Sequence, residues 1–298
     1  MATPITLPAE VRARLAGLRL RGFGHGHGFG QHAGRSRGAG LEFAEYRAYA
    51  QGDDPRRIDW KLYGRSDRHF VREAERDSPL EVWMLIDASA SMRQADLARP
   101  GYTKLDAATW LAACVIELAL RQGERFGLLA LSGAAPRAVA AGMGPRQRDR
   151  CLLALGGIVP AGAWPDDAGV HRLVDGIARG ALVLLLSDCF DEHAVALAER
   201  LAGAGRDVAV VQILAADERD FPFRGGHRFV DQESAVERRV EGSAARADFI
   251  ERFAAARRTL ARRCAVAGIP LATHVLDEPP DAPLQVLFGA RRSRRAGA

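Results

Sequence analysis

The chain lacks any long apolar segment. Its longest purely apolar run near the middle, residues 180–186, falls far short of the roughly 20 residues that a membrane-crossing helix needs. The first eight residues hold no charged stretch followed by an apolar one, which argues against a signal peptide and for the cytoplasm. Cysteine is sparse. Cys114, Cys151, Cys189 and Cys264 are widely spaced and form no CxxC pair, so a zinc knuckle is not expected and small core residues in a reducing compartment are. Aromatic residues make up only 7 %, and none interleaves with the closing arginines Arg291, Arg292, Arg294 and Arg295. That weighs against base stacking on single strands, and no nucleic-acid partner is expected.

With 298 residues, 48 % hydrophobic and 27 % charged, the chain can bury one large core or two smaller ones. The net charge of +5 and pI of 9.4 come largely from arginines at the two ends, read as solvated tails. Residues 1–78 are rich in Gly, Arg and His, with one short helical start over 9–20. Residues 79–290 alternate strand-like and helix-like blocks, and 291–298 form a basic tail. Strands are expected at 81–86, 125–131, 181–186, 207–214 and 270–276, with a short edge strand at 138–141. Helices are expected at 103–122, 146–155, 168–178, 192–204, 246–267 and 282–289. This alternation specifies an α/β fold, a doubly wound three-layer sandwich around a mainly parallel sheet.

The segment Asp87-Ala88-Ser89-Ala90-Ser91 follows the apolar run 82–86. One carboxylate and two hydroxyls at alternate positions, at the carboxyl end of a strand, can turn three oxygens toward one point. Hard divalent cations such as Mg2+ prefer such ligands, and open α/β sheets bind ligands at this end. Capping of a turn by Ser89 and Ser91 is the plainer alternative.

Earlier in the chain, His25, His27 and His32 sit among alternating glycines, with no scaffold to fix metal geometry, and read as a surface loop. The stretch 42–67 is denser. Asp54 is a candidate N-cap with Pro55 at the first helical position. Arg47, Asp53, Asp54, Arg56 and Asp59 are closely spaced opposite charges beside Trp60 and form a candidate interaction segment, with structural ion pairing as the alternative.

The run from Gly38 to Asp67, followed by Asp87-x-Ser89-x-Ser91-Met92, resembles the bacterial domain-of-unknown-function family 58. Leu186-Ser187-Asp188, Phe221-Pro222-Phe223 and Asp231-x-Glu233 are similar too. The resemblance implies a von Willebrand factor A-like, Rossmann-like sandwich carrying a metal-ion-dependent adhesion site at the top of its sheet. Asp87, Ser89, Ser91 and Asp188 match its ligands, so Mg2+ or another divalent cation is expected. The family pattern also needs a threonine, but no serine or threonine occurs between Ser132 and Ser187, and the corresponding loop, residues 160–167, has Ala163 or Trp164 at that place; Asp166 or Asp167 is the alternative ligand there, with a changed charge and geometry. Many family members carry N-terminal membrane helices, and this chain resembles the short soluble form. The family is commonly encoded beside MoxR-type AAA+ ATPases, which implies such an ATPase and its client protein as partners in a chaperone-like role. The expected function is therefore a non-enzymatic protein-interaction module. A metal-independent scaffold and a metal-dependent hydrolase using Asp87 and Asp188 are the alternatives.

Overall fold

The computed structural model describes residues 5–23, 43–49, 55, 58–74, 79–97, 99–133, 136–165, 167–234 and 236–289. The glycine–histidine run and the basic tail lie outside them. The chain divides into a larger unit, Met1–Gly28 with Leu80–Ala298, and a smaller one, Phe29–Pro79.

The first helix, α1 (Ala9–Leu15), belongs to the larger unit although the sequence reading grouped it with residues 1–78. Val11 and Leu15, one turn apart, are buried in the larger core with Leu18 and Leu20. Arg14 grips the Asp281 carboxylate with two 2.9 Å bonds. The Gln122 side chain accepts from the Leu20 amide at 2.9 Å and donates to the Leu18 carbonyl at 3.0 Å. These contacts fasten the chain start to the sheet's own helices.

In the smaller unit, β1 (Phe43–Ala48) pairs antiparallel with β2 (Phe70–Ala74), and α2 (Trp60–Ser66) lies between them in sequence. The expected start at Pro55 is a 3-10 turn, with the Ile58 amide donating to the Pro55 carbonyl at 3.3 Å and Asp54 outside the described residues, and the α-helix begins later. Asp59 is its N-cap, because its extended backbone lets the carboxylate accept from the Lys61 and Leu62 amides at 2.9 and 3.1 Å. The Tyr63 and His69 rings stack at 4.5 Å, and Trp60 meets Tyr63 edge-on at 6.1 Å.

The larger unit continues through β3 (Glu81–Asp87), a small hairpin of β4 (Ala95–Asp96) and β5 (Arg99–Thr103), α3 (Lys104–Gln122), β6 (Arg125–Leu131), β7 (Arg137–Gly142), α4 (Gly144–Gly156) and α5 (Asp167–Val174). It then runs through β8 (Leu182–Ser187), α6 (Glu192–Gly203), β9 (Asp207–Leu214), α7 (Ala216–Asp220), the hairpin of β10 (Gly226–Val230) and β11 (Glu237–Glu241), α8 (Gly242–Val266), β12 (Leu271–Val275) and α9 (Ala282–Phe288). Six strands form one sheet in the order β12-β9-β8-β3-β6-β7, parallel except for β7 at the edge. This is the Rossmann-like three-layer sandwich expected from the sequence. Among the described residues, no helix is long and apolar enough to cross a membrane.

Alternation along the strands builds two cores, one per face. Val82, Met84 and Ile86 join Phe126, Leu184 and Val211 under α1, α3, α4 and α9. Trp83 and Leu85 join Leu129, Val183 and Val210 under α5, α6 and α8. Gly127 interrupts this pattern where the β6–β7 register shifts. A Cβ there would lie 2.8 Å from the Val139 carbonyl oxygen, 2.9 Å from the Ala141 nitrogen and 2.9 Å from the Trp83 ring. Backbone atoms cannot give way cheaply, so Gly127→Ala is expected to destabilise the fold by about 1–3 kcal/mol, measured by urea denaturation. An unchanged midpoint would refute this close approach.

The chain moves from β3 outward through β6 to β7, then returns to β8 on the other side of β3 and runs outward again. The crevice between the carboxyl ends of β3 and β8 is therefore the topological switch point where such sheets bind ligands.

Candidate functional site at the carboxyl ends of β3 and β8

β3 ends in Asp87 and β8 in Ser187, so strand register alone brings Asp87, Ser187 and Asp188 to one end of the sheet. One oxygen of the Asp87 carboxylate accepts from the Ser89 amide at 2.9 Å, and the other accepts from the Ser187 hydroxyl at 2.6 Å. Ser89 and Ser91 face each other at 3.0 Å between hydroxyl oxygens. The chain then tightens into a single 3-10 turn, Ala90–Arg93. Burial, and next the charge of Asp188, push the Asp87 carboxyl up to about 6, against the hydrogen bonds from Ser187 and Ser89.

Asp188 is buried too. Its carboxylate accepts from the Phe190 amide at 3.2 Å, and its carbonyl accepts from the Gln212 side chain at 3.1 Å. The next residue, Cys189, has φ of 58°, a left-handed conformation that costs a residue with a Cβ about 1–3 kcal/mol. This turn leaves Asp188 buried and Phe190 half exposed at the rim.

Sequence reasoning missed Lys104 and Glu218. Lys104 is the first residue of α3, capped by Thr103, and its side chain is wholly buried. Its ammonium lies 3.1 Å from Asp188 and 2.6 Å from Glu218, with the Phe190 ring centroid 4.7 Å away. Burial opposes the charged ammonium, but the attraction and hydrogen bonds of Asp188 and Glu218 outweigh it and raise the lysine's pKa. Glu218 also accepts from the Ala215 amide at 2.8 Å, which caps the start of its own helix, α7. From the loop between β10 and β11, Glu233 approaches Ser89 and Asp188, and its carboxyl is raised by burial and by the neighbouring acids.

The loop where the family pattern needs a threonine is present, but it meets the Asp87–Ser91 segment through main-chain atoms. Ala161 donates to the Ala88 carbonyl at 2.9 Å, and Ala90 donates to the Gly162 carbonyl at 2.7 Å. Gly162, with φ of 69°, makes the turn. The Ser132 hydroxyl donates to the Ala161 carbonyl at 2.6 Å, and Arg93 donates to the Pro160 carbonyl at 2.8 Å. Trp164 is buried in the core under α5 and α6, and Ala163 is exposed, so neither brings an oxygen on its side chain.

The structure thus brings together Asp87, Ser89, Ser91 and Asp188 as the sequence implied. They do not fit a resident divalent cation as they stand. One Asp188 oxygen is taken by an ammonium, both Asp87 oxygens are engaged, and the third hydroxyl is missing. Among the described residues, no group of three or more His, Cys, Asp or Glu is arranged to hold a metal ion. Of the candidate interaction segment, Asp59 is spent on capping α2 and Trp60 is 61 % exposed. Arg47 lies in β1, and Asp53, Asp54 and Arg56 lie outside the described residues.

The sequence matches the family described as "Protein of unknown function DUF58" over residues 45–259. The uncharacterized proteins Rv1480 of Mycobacterium tuberculosis and Mb1516 of Mycobacterium bovis are each 32 % identical to it over 270 residues, 89 % of this chain and 81 % of theirs. Similar solved structures include an aerotolerance-related membrane protein from Bacteroides fragilis (15 % identity, 70 % of this chain and 96 % of that one, TM-score 0.44). BatB from Bacteroides thetaiotaomicron (13 %, 70 % and 95 %, 0.41) and the SpRpn10 VWA domain (10 %, 70 % and 94 %, 0.40) are others.

Proposed function

This chain belongs to the DUF58 family of proteins of unknown function, and we propose that it is a non-enzymatic protein-interaction module whose docking site is the carboxyl end of β3 and β8. The observation that carries this reading is the site itself. Loops from β3, β6 and β8 converge at the switch point of the sheet, with Ser91 and Phe190 left accessible at its rim. An exposed aromatic ring beside desolvated polar groups is the usual anchor of a protein interface.

Nucleophilic chemistry is not what the pocket favours. Ser187, whose hydroxyl touches Asp87, is fully buried. Burial also holds the Cys189 thiol protonated. The proposed partner is a MoxR-type AAA+ ATPase acting on a client protein in the cytoplasm, a choice that rests on the family resemblance. Trp60, exposed on the smaller unit, offers a second contact.

Co-purification and titration with that ATPase test the reading. Phe190→Ala and Ser91→Ala are expected to weaken binding about tenfold or more while the fold, monitored by Tm, holds. Leu153→Ser, at a 71 % exposed position on α4, is the control and should bind as the native protein does. Native-strength binding by both rim variants would place the docking surface elsewhere.

A further inference from the structure

We infer that Lys104 is the permanent counter-cation of Asp188 at this site and occupies the carboxylate oxygen a divalent metal would need, so that the native protein keeps the site assembled without metal. The argument begins with composition. Of the 42 basic residues besides histidine, only two are lysines, Lys61 and Lys104. A chain that otherwise uses arginine keeps one of its two lysines in a wholly buried slot between two carboxylates. A compact ammonium reaches both carboxylates from that slot.

The lysine also stands where its helix would not choose it. As the first residue of α3 it places a cation at the positive end of the helix dipole, an unfavourable position that only the neighbouring carboxylates offset. The hydrogen bonds at 3.1 and 2.6 Å and the overlying Phe190 ring satisfy and cover the ammonium. A dication on the same Asp188 carboxylate would meet that ammonium across one side chain and repel it. The missing threonine fits the same picture, since an Asp188 already paired with an ammonium leaves no place for a third hydroxyl ligand to complete.

The inference stands whether or not a partner docks at the rim, because its test needs no partner. The full chain is heated with and without millimolar Mn2+ or Mg2+, and with EDTA, and Mn2+ binding is followed by electron paramagnetic resonance. The native protein is expected to show no metal-dependent shift in Tm and no loss on adding EDTA. Lys104→Met frees the Asp188 oxygen for a cation. Because it also leaves two carboxylates unpaired, Lys104→Met/Glu218→Gln is measured beside it as the variant that keeps the fold. At least this double variant should gain Mn2+ binding and a rise in Tm of about 5 °C, and both should vanish when Asp188→Asn is added. Metal binding by the native protein that Asp188→Asn abolishes would overturn the inference. So would a double variant that binds no metal, or one whose metal binding survives Asp188→Asn.

Discussion

Lys104→Met is expected to lower folding stability by about 3–5 kcal/mol, the loss seen when one partner of a buried ion pair is removed and the other charge is stranded. The stranded groups here are Asp188 and Glu218, both within reach of the ammonium and screened by little water. Methionine keeps most of the side-chain volume, so the loss reports charge rather than a cavity. Glu218→Gln in the same chain removes one uncompensated carboxylate and should recover a sizeable share of the loss, whereas independent sites would only add their costs. Lys104→Arg is not a conservative alternative, because the fork must find room in a slot with no solvent-exposed side. Urea midpoints of the native, single and double variants in EDTA measure this. Purely additive losses would show that Lys104 and Glu218 do not support one another.

His274 sets the second large effect, a dependence on pH. It sits in β12 beside Ile213 of β9, fully buried, and neither ring nitrogen has a hydrogen-bond partner among the described residues. Burial pushes its pKa down to about 4, with Asp277 pulling the other way. The unfolded chain, with an ordinary histidine pKa near ~6.5, therefore binds the proton more readily than the folded one. Its contribution to stability is complete above about pH 6.5 and is lost as pH falls toward 4, in all about 3 kcal/mol. Asp87 runs the opposite way. Its raised carboxyl takes up a proton as pH falls through about 6 and relieves a buried charge, so acid stabilises the fold through that group. In the native protein the two slopes oppose each other between about pH 6 and pH 4. His274→Leu removes one of them. The variant should match or exceed native stability at pH 7.5 and become relatively more stable at pH 5. Equal acid losses in both proteins, read from urea midpoints, would show that His274 does not govern this slope.

The parts of the fold that could be read in the sequence are those whose burial is complete. Residues 81–86, 125–131, 181–186 and 207–214 are nearly unbroken apolar runs, and each became a strand of the sheet with ends within a residue or so of those expected. The β10–β11 hairpin was not legible, because its strands are short, Arg-rich and mostly exposed, and they stand outside the main sheet. The start of α8 at Gly242, four residues before the expected Arg246, depends on the same hairpin. A Cβ at Gly242 would lie 2.6 Å from the Phe223 carbonyl oxygen, and that contact is set by tertiary packing.

The site divides in the same way. Asp87, Ser89, Ser91 and Asp188 could be found because each follows a strand, and strand ends are visible in one dimension. Lys104 and Glu218 could not. Their pairings span 84 residues to Asp188 and 114 residues to each other, and no local pattern announces them. The signal available was a conflict, one of only two lysines at the positive end of a helix dipole in an arginine-rich chain.

The loop at residues 160–164 holds the Asp87–Ser91 segment through peptide groups, and peptide groups are common to nearly every amino acid. The outline of this pocket is thus largely indifferent to which side chains line the loop, save for the turn at Gly162. Its chemistry is not, since that rests on a handful of replaceable groups at the tips. One backbone mould can therefore be inherited unchanged while the charge chemistry inside it is rewritten one residue at a time.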